Sequence, residues 1–178
     1  MRKVRLFIAM SLDGYIAKPN HDLNFLSLVD RPDEDYGYTD FVAGIDTIVI
    51  GRKTYDYVMK HVSNTHYDNG SRDVYVITHH PLADTKRTKF FKGSPSELIR
   101  RLKTQEGKDI YCDGGASVIN DLLRNHLIDE MVISVVPILL GSGVRLFEEH
   151  RPEQLLELVA TKQFASGLAQ LHYKRKDK

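Results

Sequence analysis

The sequence predicts an α/β fold: one domain over residues 1–178, with a central, mixed but mostly parallel sheet and an antiparallel C-terminal edge. Three observations carry this. Apolar strand-like and helix-like segments alternate as β-α-β-α-β before the chain turns β-rich. Residues 47–50 (TIVI) form a nearly continuous apolar run, as in strands covered on both faces of a parallel sheet. Two late strands, about 156–162 and 168–174, flank Ser166-Gly167 and read as an antiparallel hairpin. A length of 178 residues, with no repeat, linker or low-complexity tract, suits one domain.

Taken in order, residues 4–10 (VRLFIAM) are β-rich and make a central strand. Asp13-Gly14 is a turn signal before a short apolar patch, Tyr15-Ile16-Ala17. Residues 18–35 are polar, with Pro19, Pro32 and several Asp, and form a long loop of the kind that often carries function. A short helix over 36–43 ends at Gly44. After strand 47–50, Gly51-Arg52-Lys53-Thr54 opens a helix to about Lys60. Residues 73–78 form the next buried strand. Ser94, Pro95 and Glu97 start a helix as cap, first-turn proline and capping-box acid; Leu98, Ile99 and Leu102 share a face, and Gly107 stops it. Residues 109–112 are a strand, followed by a helix with Val118, Ile119, Leu122 and Leu123 on one side. Residues 131–136 form a strand that Pro137 ends.

Composition removes several classes of function. The 25 Lys+Arg against 24 Asp+Glu give a net charge of +1, without the basic excess of a sequence-independent nucleic-acid binder. The one cysteine, Cys112, permits no intrachain disulfide and suits a reducing compartment. The N-terminal apolar run is broken at Ser11 and Asp13, unlike a signal peptide, and no stretch approaches the roughly 18 apolar residues of a membrane helix. A cytoplasmic protein with no membrane and no nucleic-acid partner is expected. The eight histidines are scattered: His79-His80 are adjacent rather than i, i+4, and His61 and His66 border a loop, so no metal site is expected. Cys112 reads as a small core residue.

Two strand-to-helix junctions carry chemistry, because ligands in open parallel sheets bind beyond the carboxyl ends of strands. At Gly51-Arg52-Lys53-Thr54 a glycine permits a tight turn, the helix start offers N–H groups, and Arg52, Lys53 and Thr54 add charge and a hydroxyl. These are parts for a phosphate, or for a capped helix with solvated basic residues. At Asp113-Gly114-Gly115-Ala116-Ser117-Val118 paired glycines allow close approach of a ligand, or a turn with positive φ. Neither matches the dinucleotide fingerprint or the P-loop, and no Ser lies in a G-x-S-x-G setting.

In order along the chain stand Met10-Ser11-Leu12-Asp13-Gly14-Tyr15-Ile16-Ala17, Gly51-Arg52-Lys53-Thr54-Tyr55, Asp113-Gly114-Gly115-Ala116, and Pro137-Ile138-Leu139-Leu140-Gly141-Ser142-Gly143-Val144-Arg145-Leu146-Phe147. This series resembles the dihydrofolate-reductase-like superfamily. Within it the series is most similar to the C-terminal reductase domain of riboflavin biosynthesis (the RibD C-terminal domain) and its stand-alone bacterial relatives. The resemblance covers about residues 3–174 and implies a three-layer α/β/α fold. It also implies an NADPH-dependent oxidoreductase, a 5-amino-6-(5-phosphoribosylamino)uracil-like or other small heterocyclic substrate, and a homodimer. The apolar segment 137–147 is a further reason to expect association. Alternatives are a dihydrofolate or pteridine reductase and a non-catalytic NADP-binding sensor.

By the same resemblance Ala9 and Ile16 would lie at the nicotinamide. Gly51, Arg52, Lys53 and Thr54 would meet the 2′-phosphate and pyrophosphate, and Thr78, His79 and His80 would border the adenosine. Gly114, Gly115, Ala116, Ser117, Val118 and Ile119 would approach the pyrophosphate. The Gly114-Gly115 pair is a candidate for the cis peptide of the folate enzymes. Asp35 corresponds to their buried acid and is the candidate proton donor, with Asp13 and ordered water as rivals.

Overall fold

In chain order the elements are β1 (Val4–Ser11), β2 (Tyr15–Ala17), α1 (Tyr38–Ala43), β3 (Ile45–Gly51), α2 (Arg52–His61), β4 (Asp73–Ile77) and β5 (Thr88–Phe91). Then come α3 (Pro95–Lys103), β6 (Asp109–Gly114), α4 (Ala116–Arg124), β7 (Glu130–Val136), β8 (Val144–Arg145), β9 (Leu156–Gln163) and β10 (Ala169–Arg175). They belong to a computed structural model that describes residues 1–62, 67 and 70–176. Two 3-10 turns, Pro19–His21 and Asn24–Val29, occupy the long loop after β2.

Eight strands form one sheet in the order β5-β4-β3-β6-β1-β7-β10-β9, and β2 pairs with β8 in a separate two-stranded ribbon. The first six strands run parallel, while β10 is antiparallel to both β7 and β9. The chain therefore forms the mixed, mostly parallel sheet expected, closed by the hairpin at its C-terminal edge. The sequence reading omitted β5, whose four residues sit in a polar setting, and the β2–β8 ribbon, too short for periodicity to reveal.

Helices cover both faces. Leu98, Ile99 and Leu102 of α3 and Val118, Ile119 and Leu122 of α4 pack on Val4, Leu6, Val49 and Cys112, all nearly without exposure. On the other face Phe41 of α1 and Tyr55 of α2 pack with Ile48, Ile50, Val74, Val76 and Tyr111. Truncating such a buried leucine or isoleucine to alanine costs about 2–5 kcal/mol. Cys112 is a core residue, and burial pushes its thiol up to about 12.

One expectation about packing changes. Within 137–147, Leu146 is fully buried and Ile138 and Leu140 pack on Phe25 and Val136, which leaves Leu139 as the large exposed hydrophobic. The exposed apolar side chains instead gather at Leu155, Leu156, Leu158 and Val159, in or beside the edge strand β9. No helix among the described residues is long and apolar enough to cross a membrane.

Candidate functional site

At the carboxyl ends of β1, β3, β4 and β6 lies a cleft of about 800 Å³. The two glycine junctions meet there. A Cβ placed on Gly115 would stand 3.3 Å from the Gly51 Cα and 3.5 Å from Thr54 Oγ1. Gly115 also has a φ of +83, so a side chain is opposed by backbone conformation as well as by space. The glycines thus let the starts of α2 and α4 lie side by side. Both helices have glycine at the N-cap, so neither is capped by its own N-cap side chain. Two sets of helix-terminal N–H groups face the same cleft, a setting that favours a diphosphate.

Arg52 stands at the mouth. Its Nε donates to both carboxylate oxygens of Asp56 at 2.8 Å, and Nη1 donates to the His80 carbonyl at 3.1 Å. These contacts tie α2 to the loop after β4. Thr78 bridges the same loop, its Oγ1 accepting from the His80 N–H at 3.1 Å. Ala9, Ile16, Gly51, Arg52, Lys53, Thr54, Thr78, His79, His80, Gly114, Gly115, Ala116, Ser117 and Val118 all line the cleft. Ile119 does not: it is fully buried among the α3–α4 core, because one further helical step turns its side chain away. Every peptide bond among the described residues is trans, the Gly114–Gly115 bond included.

The buried acid expected at position 35 is absent. Asp35 is exposed, and its two oxygens accept from the Gly37 N–H at 2.8 Å and the Thr39 N–H at 3.0 Å. These hydrogen bonds, the Thr39 side chain's first among them, hold its carboxyl below the ordinary range. An acid at this position precedes Gly37, whose φ of +80 starts α1, so it serves as a local turn cap. Asp13 also lies outside the cleft lining. It accepts from Ser11 Oγ at 2.6 Å and from the Leu140 and Gly141 N–H groups at 3.0 and 2.7 Å, fastening the β1–β2 turn to the loop after β7.

Among the described residues, the carboxylates that line the cleft are Asp113 and Glu148. Glu148 pairs with Arg124 at 3.1 Å. Asp113 accepts from Tyr67 Oη at 2.5 Å and sits on the side of the sheet occupied by Tyr38, Tyr67 and Tyr111. Burial, and then the Asp113 charge, raise all three phenols, Tyr38 to about 12, so each keeps its hydroxyl proton. Phe7, Leu23, Leu26, Tyr57 and Val58 complete this half of the cleft with largely apolar surface. Sequence reading missed this half. Asp113 stood in the glycine motif but was not singled out, and only its place two residues beyond Tyr111, on the same face of the strand, could have flagged it. His66 falls outside the described residues, and among those described no cluster of three or more His, Cys, Asp or Glu gathers to hold a metal.

With this geometry in view, comparison with known proteins places the molecule. The chain is 38% identical over 98% of both chains to the uncharacterized protein YwjB of Bacillus subtilis. A solved protein of Shewanella sp. PV-4 named for riboflavin biosynthesis superposes with a TM-score of 0.86, at 32% identity, over 98% of this chain and 99% of that one. Two more distant structures share the fold. A deaminase/5-amino-6-(5-phosphoribosylamino)uracil reductase from Thermotoga maritima has a TM-score of 0.70 at 15% identity, covering 98% of this chain and 57% of that one. A dihydrofolate reductase from Enterococcus faecalis, complexed with NADP(H), has a TM-score of 0.67 at 17% identity, covering 98% of this chain and 97% of that one. The RibD C-terminal domain family model matches residues 2–170, nearly the whole chain, and the protein belongs to that family, whose members include riboflavin-biosynthesis-type reductases.

Proposed function

We propose that the protein is an NADPH-dependent reductase acting on a small heterocyclic acceptor of the aminouracil type. The observation that carries this reading is the meeting of the Gly51 and Gly115 backbones, which sets two uncapped helix starts and the cations Arg52 and Lys53 beside an apolar wall. That combination fits a nicotinamide dinucleotide: N–H groups for the diphosphate, Arg52 and Lys53 for the 2′-phosphate, Ala9 and Ile16 for the nicotinamide ring. When bound, NADPH supplies a hydride. The chain's own part is to orient cofactor and acceptor and to keep water from the apolar half of the cleft. The NADP(H) held by the Enterococcus reductase supports the cofactor in this reading, and the aminouracil reductase of Thermotoga supports the acceptor class.

The test is titration of NADPH and NADH against the wild type and Arg52→Ala. Because Arg52 is already tethered to Asp56 and the His80 carbonyl, its guanidinium is positioned before the cofactor arrives. A charge-assisted contact contributes about 1.5–3 kcal/mol, so NADPH should bind roughly tenfold to 150-fold more weakly to the variant. NADH should change little, having no 2′-phosphate. Equal weakening of both would show that Arg52 acts through the fold. Mixing NADPH with reducible pyrimidines and pteridines then asks for loss of nicotinamide absorbance; binding without turnover on any acceptor would favour a sensor.

The reading extends to a cytoplasmic homodimer. Edge strand β9 is exposed along its whole length and carries Leu156, Leu158 and Val159, which suits pairing with a second copy. A sedimentation mass of one chain at micromolar concentration would remove the dimer.

A further inference from the structure

We propose that the acceptor taken by this cleft is an uncharged ring that carries no phosphate: the wall it meets is apolar and acidic, and the cations of the cleft stand at the cofactor's end. This narrows the reductase reading and rests on it for the identity of the cleft.

The cations are gathered in one place. Among the described residues, the lysine and arginine side chains lining the cleft are Arg52 and Lys53, neighbours at the start of α2. Arg52 is drawn to the β4 side, held by Asp56 and the His80 carbonyl, with its guanidinium 5.8 Å from the centre of the Phe90 ring. Lys53 follows on the first turn of α2, beside the helix starts that the Gly51–Gly115 contact brings together. A nicotinamide dinucleotide phosphate brings its diphosphate and 2′-phosphate to that end and engages both cations. Neither is left for a phosphate on the acceptor.

The other half of the cleft is walled by Phe7 of β1, Leu23 and Leu26 of the loop after β2, and Tyr57 and Val58 of α2. Asp113 stands in the same wall and acts as an anion on the phenols around it, raising Tyr38, Tyr67 and Tyr111. Arg5 and Arg72, both beside α1, are spent elsewhere. Arg72 donates to the Val42 carbonyl at 2.8 Å and the Ile45 carbonyl at 3.3 Å, and Arg5 lies over the Phe41 ring, 3.4 Å from Glu130. Positions 63–66 and 68–69, outside the described residues, read SNTH and DN and so add no lysine or arginine. His21, two residues before Leu23, is the base that lines the cleft on this loop. An anion moved from water onto such a wall loses its hydration, gains no cation and meets a like charge at Asp113. A flat uncharged ring loses little and buries its faces against Phe7, Leu26 and Val58. Selection of this kind works by penalising the wrong ligand.

The experiment is calorimetric titration of 5-amino-6-(ribosylamino)uracil and of its 5′-phosphate onto protein saturated with NADP+, which fills the cofactor end and allows no turnover. Working at about pH 8 keeps ordinary histidines uncharged. The unphosphorylated compound should bind about tenfold more tightly, or better. Leu23→Lys sets a cation on the wall at a half-buried position. A pair at partial exposure is worth about twofold to fivefold in affinity, so the gap between the two compounds should narrow by that factor. Should Leu23→Lys fail to fold, the wild-type comparison decides alone. Equal affinity for the two compounds, tighter binding of the phosphorylated one, or no binding of either overturns the proposal. So does a gap that a folded Leu23→Lys leaves unchanged, since charge would then not be its cause. If NADP+ itself does not bind, the reductase reading falls and takes the proposal with it; a preference for the phosphorylated compound on NADP+-loaded protein ends this proposal alone.

Discussion

The two ends of the parallel sheet are built on opposite principles. At the amino ends of its strands, charges are settled within the protein. Arg2, with a side chain only 5% exposed, pairs with Asp46, and Asp129 takes Lys103 Nζ at 2.6 Å and Arg175 at 3.4 Å. Asp129 also accepts the Val4 N–H at 2.8 Å, and Lys3 reaches Glu130 at 2.6 Å. At the carboxyl ends, glycines replace capping side chains, two helix starts lie uncapped, and cations line an open cleft. The first end pairs most of its charges internally, with Arg5 Nε and His172 Nε2 near Glu130 but outside hydrogen-bond geometry; the second offers its polar groups to a ligand. Substitutions at the first should therefore register as lost stability, and substitutions at the second as lost binding.

The largest effect expected of that difference is at Asp46. Replacing it with Ala strands the Arg2 guanidinium in the interior with only Thr47 Oγ1 and the Lys108 and Leu102 carbonyls for company. It also removes the acceptor for the Lys108 N–H. Removing one partner of a buried pair costs about 3–5 kcal/mol, mostly the uncompensated charge. Arg2→Met deletes the charge itself and leaves behind an Asp46 that is 36% exposed and can be hydrated, so it should cost less. Urea unfolding measures both, and urea avoids the screening that guanidinium salts would add. If Arg2→Met is the more damaging, the amino end is held by the packing of the arginine stem and not by its charge.

Gly115→Ala tests the opposite end. The substitution puts a side chain at a φ of +83 and a methyl 3.3 Å from the Gly51 Cα, where backbone must give. Strain of this kind costs about 1–3 kcal/mol. The two helix starts should separate, so NADPH affinity should fall by at least tenfold, and the melting temperature only modestly. A variant that loses stability but binds NADPH like the wild type would show the glycine contact to be a packing device and would break the contrast between the ends.

How much of this was legible in the sequence follows the same division. The parallel core was readable because residues 47–50 (TIVI) and 74–77 (VYVI) are nearly continuous apolar runs, and α3 announced itself through Pro95 and its Leu98, Ile99, Leu102 face. The cradle was readable because glycine before a helix start is a local signal. The apolar half of the cleft was not. Tyr38, Tyr67, Tyr111 and Asp113 are scattered over 76 positions, and only the order of strands and helices around the sheet brings them together. Asp35 misled for the converse reason. Its offset from Gly51 matches the folate enzymes, but the two residues after it are Tyr36 and Gly37 at positive φ, and such a turn draws the carboxylate to its own backbone.

Asp13 gives the smallest effect and the finest test, because it lies at the cleft end yet is bonded in the manner of the other end. Its carboxyl is lowered to about 2 from an ordinary 3.8, first by the Ser11 hydroxyl and then by the Leu140 and Gly141 N–H groups. A group ionised down to that pH has no proton to give at neutrality, so its work is to fasten the β1–β2 turn to the loop after β7. The sign follows from linkage. The folded state favours the ionised form, so the stabilisation is present above the unfolded value of 3.8 and is lost as pH falls toward 2. Asp13→Asn lacks this titration, because an amide stays neutral at every pH in that range. Thermal melts of both proteins should therefore differ by a constant amount from pH 7 down to about 5, converge between about 4 and 2, and coincide at the acid end. Turnover of Asp13→Asn near neutral pH should stay within a few-fold of wild type. A stability difference that persists unchanged to pH 2 would assign the clamp to shape instead of charge. A large loss of turnover with an intact fold would move Asp13 from the frame of the cleft into its chemistry.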